Sequence, residues 1–86
     1  MYPNPFNPGT AALNALKFDN LPLGAKTLIY DISGELVFMS TARSPVLLWK
    51  GININGNAAS PGIYYYTVSW GDNKRMIVGK IFLVNR

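Results

Sequence analysis

The chain has 86 residues, of which 49% are apolar and 14% charged, and a net charge of +4. That length suits one domain that buries only about 60–65% of its unfolded surface, and the apolar content excludes a disordered chain. Cysteine and histidine are both absent, which removes disulfides, thiolate nucleophiles, Cys-ligated zinc, the commonest general base and the commonest neutral metal ligand.

The cations are spread thinly. Lys17, Lys26, Arg43 and Lys50 stand singly, while Lys74, Arg75, Lys80 and Arg86 bias the C-terminal part. Nucleic-acid surfaces cluster their cations or use a recognised module, so no nucleic-acid partner is expected. No apolar run reaches the roughly 18 residues of a membrane helix, and no charged-then-apolar leader opens the chain. Membrane insertion is therefore not expected, and an exported form carries its leader elsewhere in a longer parent or has lost it.

The chain opens MYPNPFNPGT, with prolines at positions 3, 5 and 8. Each proline fixes φ, removes a backbone donor and pushes its predecessor toward extended geometry. Asn4 and Asn7 each suit an Asx turn to the backbone two residues on. Tyr2 and Phe6 then pin this stiff segment to the core, which predicts a docked start rather than a floppy linker.

Downstream, turn signals recur every 8–12 residues and no long helical period appears. Residues 13–18 form a first strand with Leu16 and Phe18 on one face and Lys17 on the other, closed by the loop from Asp19 to Gly24. Residues 26–31 and 36–40 make a hairpin around Ile32-Ser33-Gly34-Glu35, where Gly34 supplies positive φ. Residues 46–49 form a short fourth strand, followed by a polar loop over 51–57. Ser60-Pro61-Gly62 launches a strand over 63–70, with Tyr64, Tyr66, Val68 and Trp70 on one face and Ile63, Tyr65, Thr67 and Ser69 on the other. Residues 74–84 close the domain as a strand with a bulge or break at Gly79. The pattern predicts an all-β, immunoglobulin-like antiparallel sandwich of six to seven short strands, one domain over residues 1–86.

Little in the chain supports catalysis. Asp31 and Glu35, flanking one turn, are the only candidate carboxylate pair, and turn capping explains them as well. The Asp19-Asn20, Asp72-Asn73 and Asn53-Asn55-Asn57 groups offer too few carboxylates for calcium. Neither enzyme activity, nor a metal, nor a cofactor is expected. Trp49, Trp70 and Tyr64 to Tyr66 suggest a sugar- or base-stacking platform, yet successive tyrosines on one strand face opposite sides, so the core claims Tyr64 and Tyr66.

Four ordered blocks resemble the type A C-terminal sorting domain of the type IX secretion system. They are residues 2–10 with Leu21-Pro22, residues 29–37, Trp49-Lys50-Gly51 with residues 60–66, and Gly79-Lys80-Ile81-Phe82-Leu83-Val84. Two departures stand out. Lys50 replaces the aspartate that is common after the tryptophan, and Ala11-Ala12-Leu13 replaces a β-branched run. The resemblance implies a non-catalytic module at the C-terminal end of a secreted bacterial protein, carrying its cargo on its N-terminal side. Such a module is read in the periplasm by an outer-membrane translocon, then often removed by a sortase-like peptidase as cargo reaches the cell surface.

The matching motif positions are Pro3, Asn4, Pro5, Asp31, Gly34, Gly62, Tyr64 and Lys80. Translocon recognition is expected at Lys74, Arg75, Lys80 and Arg86, through β-augmentation of the final strand's exposed edge over residues 74–86. Two alternatives share parts of this pattern: the immunoglobulin-like assembly domain of the flagellar hook-capping protein, and a carbohydrate-binding accessory module.

Overall fold

Each stretch that alternates apolar and polar residues between Gly, Pro or Asn turns becomes a strand. A computed structural model describes residues 1–11, 14–72 and 74–84. Its six strands are β1 (Leu16–Phe18), β2 (Lys26–Asp31), β3 (Leu36–Thr41), β4 (Leu47–Trp49), β5 (Gly62–Trp70) and β6 (Arg75–Leu83). They form two antiparallel sheets, a large one ordered β3-β2-β5-β6 and a small one of β1 and β4. Alternation predicted a sandwich of six to seven strands, and six form.

The core lies between the sheets. Phe6, Leu16, Ile29, Trp49, Ile81 and Leu83 are each less than 2% exposed. The Trp49 ring is their hub, with centroids 6.0 Å from Phe6, 6.3 Å from Phe38 and 6.0 Å from Tyr64. Phe18 on the small sheet meets Tyr66 on the large one edge-on at 5.2 Å. Removing such apolar area from water is the main favourable term for a chain this short.

Beyond one-residue shifts at the ends of β3, β5 and β6, three features differ from expectation, each for a local reason. β1 starts at Leu16 because Asn14 adopts φ 55°, which breaks extended geometry just before it; Ala12 and Leu13 lie outside the described residues. β4 starts at Leu47 because the Ser44 hydroxyl donates to the Val46 carbonyl and accepts its N–H, holding Pro45 and Val46 in a turn. β6 runs unbroken through Gly79, which stays in register opposite Tyr66. The irregularity falls instead between Ile29 and Tyr30 of β2, where β3 gains an extra residue at Val37. Gly79 serves a close approach: a Cβ there would lie 2.5 Å from the Tyr66 ring.

The layers are unequal in length. Two three-residue strands cannot cover nine-residue β5 and β6, so the end of the large sheet near Trp70 and Ile77 overhangs. The overhang leaves a cleft of about 170 Å³ whose walls are mainly apolar, from Met1, Phe18, Leu21, Tyr66, Trp70 and Ile77, with Asp19 and Asn20 also in the lining.

Candidate docking surface

The segment before β1 is a strap between the two sheets. At one end Tyr2 exchanges both backbone bonds with Lys17 of β1, at 3.0 and 2.8 Å. At the other end the Phe6 N–H donates to the Phe82 carbonyl at 2.7 Å and the Phe6 carbonyl accepts from Val84 at 2.9 Å. Phe6 itself is fully buried, so the docked start is borne out, but Tyr2 stays exposed and docks through its backbone rather than in the core. Pro3 and Pro5, both exposed and both preceded by cis peptide bonds, flank Asn4.

Asn4 does not form its expected Asx turn. Its amide nitrogen donates to the Lys80 carbonyl at 3.1 Å, and its carbonyl oxygen accepts the Phe82 N–H at 3.0 Å. The side chain thus imitates a strand's backbone where proline has removed the real donors on either side. Asn7 keeps the expected turn, accepting from Gly9 N–H at 2.9 Å.

These contacts correct the expectation of a wholly open final edge. β6 is the outer strand of the large sheet, but the strap covers its second half from Lys80 onward. Backbone groups on one strand alternate direction. Those of Phe82 and Lys80 face the strap, so those of Val78 and Met76 also face away from β5, and there no partner covers them among the described residues. The open edge is therefore the stretch from Arg75 up to Lys80, whose carbonyl is already taken by Asn4.

The sequence-predicted cations divide around that stretch. Lys74 and Arg75 stand exposed at its start, just after the β5–β6 turn. Lys80 closes it, its ammonium 6.0 Å from the Tyr65 ring centroid. Arg86 lies outside the described residues.

Asp31, Gly34, Gly62 and Tyr64 sit elsewhere, at the opposite end of the large sheet. One Asp31 carboxylate oxygen accepts from the Ser33 hydroxyl at 2.6 Å, Ser33 N–H at 2.9 Å and Glu35 N–H at 3.0 Å. The Ser33 hydroxyl first, then the Glu35 N–H, hold this carboxyl below the ordinary aspartate range, against a smaller opposing effect of desolvation; the Ser33 and Gly34 N–H groups add less. Asp31 is a turn cap, and Glu35 supplies it with backbone rather than a second carboxylate. Gly34 has φ 89° and Gly62 φ 152°, both in territory that side chains disfavour. Buried Tyr64 donates its hydroxyl to the Ser60 carbonyl.

The asparagine loop over residues 53–57 and the aromatics of the late strand, neither expected to hold a ligand, are each used within the fold. Asn53 caps its own loop, accepting from Asn55 and Asn57 N–H at 3.0 and 2.9 Å. With Lys50 in place of aspartate, the Trp49 loop is held by the indole N–H donating to Ile52 carbonyl and by Ala59 N–H on Gly51 carbonyl. Trp49 and Tyr64 are buried in the core and Tyr65 faces outward, so the aromatics form no single stacking plane.

Alternation alone missed the outer face of the large sheet. Antiparallel sheets usually turn a polar face to solvent. Here Met39, Leu28, Thr67 and Val78 lie in one cross-strand row and Ile63 and Phe82 in another, beside Tyr65. Val78 is 68% exposed and Met76 58%. The available signal was the consecutive apolar run Met76-Ile77-Val78, which makes both faces of β6 apolar at once.

A family model described as the secretion system C-terminal sorting domain matches residues 1–83. No curated protein matches the chain. One solved structure is similar, that of PorZ, described as an essential bacterial surface component of the type-IX secretion system of human oral-microbiomic Porphyromonas gingivalis. The likeness has a TM-score of 0.81 at 21% identity and covers 98% of this chain but 11% of that one.

Proposed function

The chain belongs to the secretion system C-terminal sorting domain family, and from that membership we propose that it is the label by which type IX secretion machinery exports a larger protein to the cell surface. The observation that carries this reading is the family match across residues 1–83, which takes in the strap, the hairpin, the late tyrosine strand and β6 together. The fold likeness to PorZ agrees with it.

In this reading the domain carries cargo covalently on its N-terminal side, crosses the periplasm folded, and is recognised by an outer-membrane translocon before a sortase-like peptidase acts on it. It performs no reaction itself. The ionised group best placed for one, Asp31, is committed to holding a turn. Recognition falls to the β6 side of the molecule, where Lys74, Arg75 and Lys80 stand exposed, with Arg86 next in chain order. Long-range attraction between such cations and an acidic receptor raises the rate of encounter.

The test is a reporter carrying a leader at its N-terminus and this chain at its C-terminus, expressed in a bacterium with the type IX system. Deleting Lys80–Arg86 should leave the reporter in the periplasm. Undiminished surface display after that deletion refutes the assignment of recognition to this strand.

A further inference from the structure

We propose that the open half of the β6 edge, Arg75 to Lys80, takes a short extended peptide with acidic ends and alternating apolar residues, added as a fifth strand to the large sheet. This rests on the sorting reading and names the partner chemistry of the same surface.

The backbone requires a strand-like partner here. The outward N–H and C=O groups of Met76 and Val78 are the unfilled continuation of a ladder whose other half the chain fills with its own Asn4 and Phe6. An edge strand of this kind templates pairing with a further chain. The strap also sets the limit, because a peptide added beyond Lys80 collides with Asn4. The site thus has a defined length and register, unlike an unbounded edge.

The side chains set the composition. A strand added beside β6 alternates its own side chains between the two faces of the sheet. Those on the outer face lie against Met76 and Val78. Those on the inner face lie beside Ile77, itself 51% exposed, at the mouth of the cleft formed by Phe18, Tyr66 and Trp70. Both faces of β6 present apolar side chains here, so the alternate apolar residues of an added strand meet apolar surface on whichever face they take.

The ends of the stretch set the charge. Lys74 and Arg75 stand at one end and Lys80 at the other, against Asp72 as the one carboxylate of the β5–β6 hairpin. Opposite charges directly across a strand pair stabilise it and like charges oppose it. A second copy pairing antiparallel about Ile77 would set Lys74 opposite Lys80 twice over. The same cations disfavour a copy in that register and favour an acidic peptide.

The probe is a fluorescein-labelled nonapeptide, EEVTVTVEE, with KKVTVTVKK as control, titrated against the 86-residue chain by fluorescence anisotropy. Hydrogen exchange is followed in parallel. The acidic peptide should bind at least about tenfold more tightly than the basic one, a difference of about 1.4 kcal/mol. It should slow exchange at the Met76 and Val78 amides and leave the Phe82 amide, already bonded to Asn4, unchanged.

Val78→Pro deletes an N–H that points away from β5, a change edge strands tolerate, and should weaken binding by about tenfold or more. If circular dichroism shows that variant unfolded, the pair Arg75→Glu and Lys80→Glu decides instead, with the same expected loss. No binding, equal binding of both peptides, or unchanged binding by a folded variant overturns the proposal. So does a dimer in sedimentation that slows the same two amides, or displacement of the peptide by phosphatidylglycerol vesicles. Surface display of the reporter by the unaltered domain is scored separately, so loss of peptide binding with display intact refutes this inference alone, and loss of display refutes the sorting reading.

Discussion

Single residues set this fold where backbone geometry leaves little choice. Gly34 at φ 89° carries the β2–β3 turn, and Gly34→Ala should destabilise by about 1–2 kcal/mol, the cost of left-handed geometry for a side chain. Gly79→Ala works through contact, driving a methyl into the Tyr66 ring; urea unfolding should show about 1–3 kcal/mol lost, typical of overpacking. Asp31 predicts a pH effect whose sign follows from its lowered pKa. The stabilisation is fully present above the unfolded aspartate pKa near 3.9 and is lost as pH falls through the lower folded value. Ser33→Ala removes the largest cause, so a carboxyl-carbon NMR titration should find Asp31 moved upward; an unmoved midpoint contradicts the cap. Gly34 and Asp31 were legible in sequence because turn chemistry is local. The role of Gly79 was not, because the Tyr66 ring reaches it from another strand.

At the scale of elements, the strap is the feature on which the most depends. It joins the small sheet at Lys17 to the large sheet at Phe82 and places Phe6 in the core. Phe6→Ala should cost about 3–5 kcal/mol, as large-to-small core changes do. Asn4→Ala deletes two hydrogen bonds at one stroke and should cost about 1–3 kcal/mol, while speeding exchange of the Phe82 amide. An unchanged Phe82 amide would show that Asn4 does not cover the edge in solution. The β2–β3 hairpin and β5 stood out in the sequence because their alternation and turns are self-contained. The strap's docking was readable from Phe6, but not its partner strand: pairing of residues 78 positions apart leaves no periodic trace. β4, three residues long, has too little pattern to fix its own limits.

At the scale of the whole molecule, the asymmetry of the two sheets matters more than the count of strands. A small inner layer protects one end of the core and leaves the β6 end apolar and open, while the strap fences the remainder. Such a body is held by its core and leaves one bounded strand edge open, which suits the proposed label. The most direct measurement is surface fluorescence of a leader-bearing reporter fused to residues 1–86, in a host with the type IX system and in the same host lacking its translocon. The account predicts display in the first host and periplasmic retention in the second. Equal display in both, or retention in both, would contradict it.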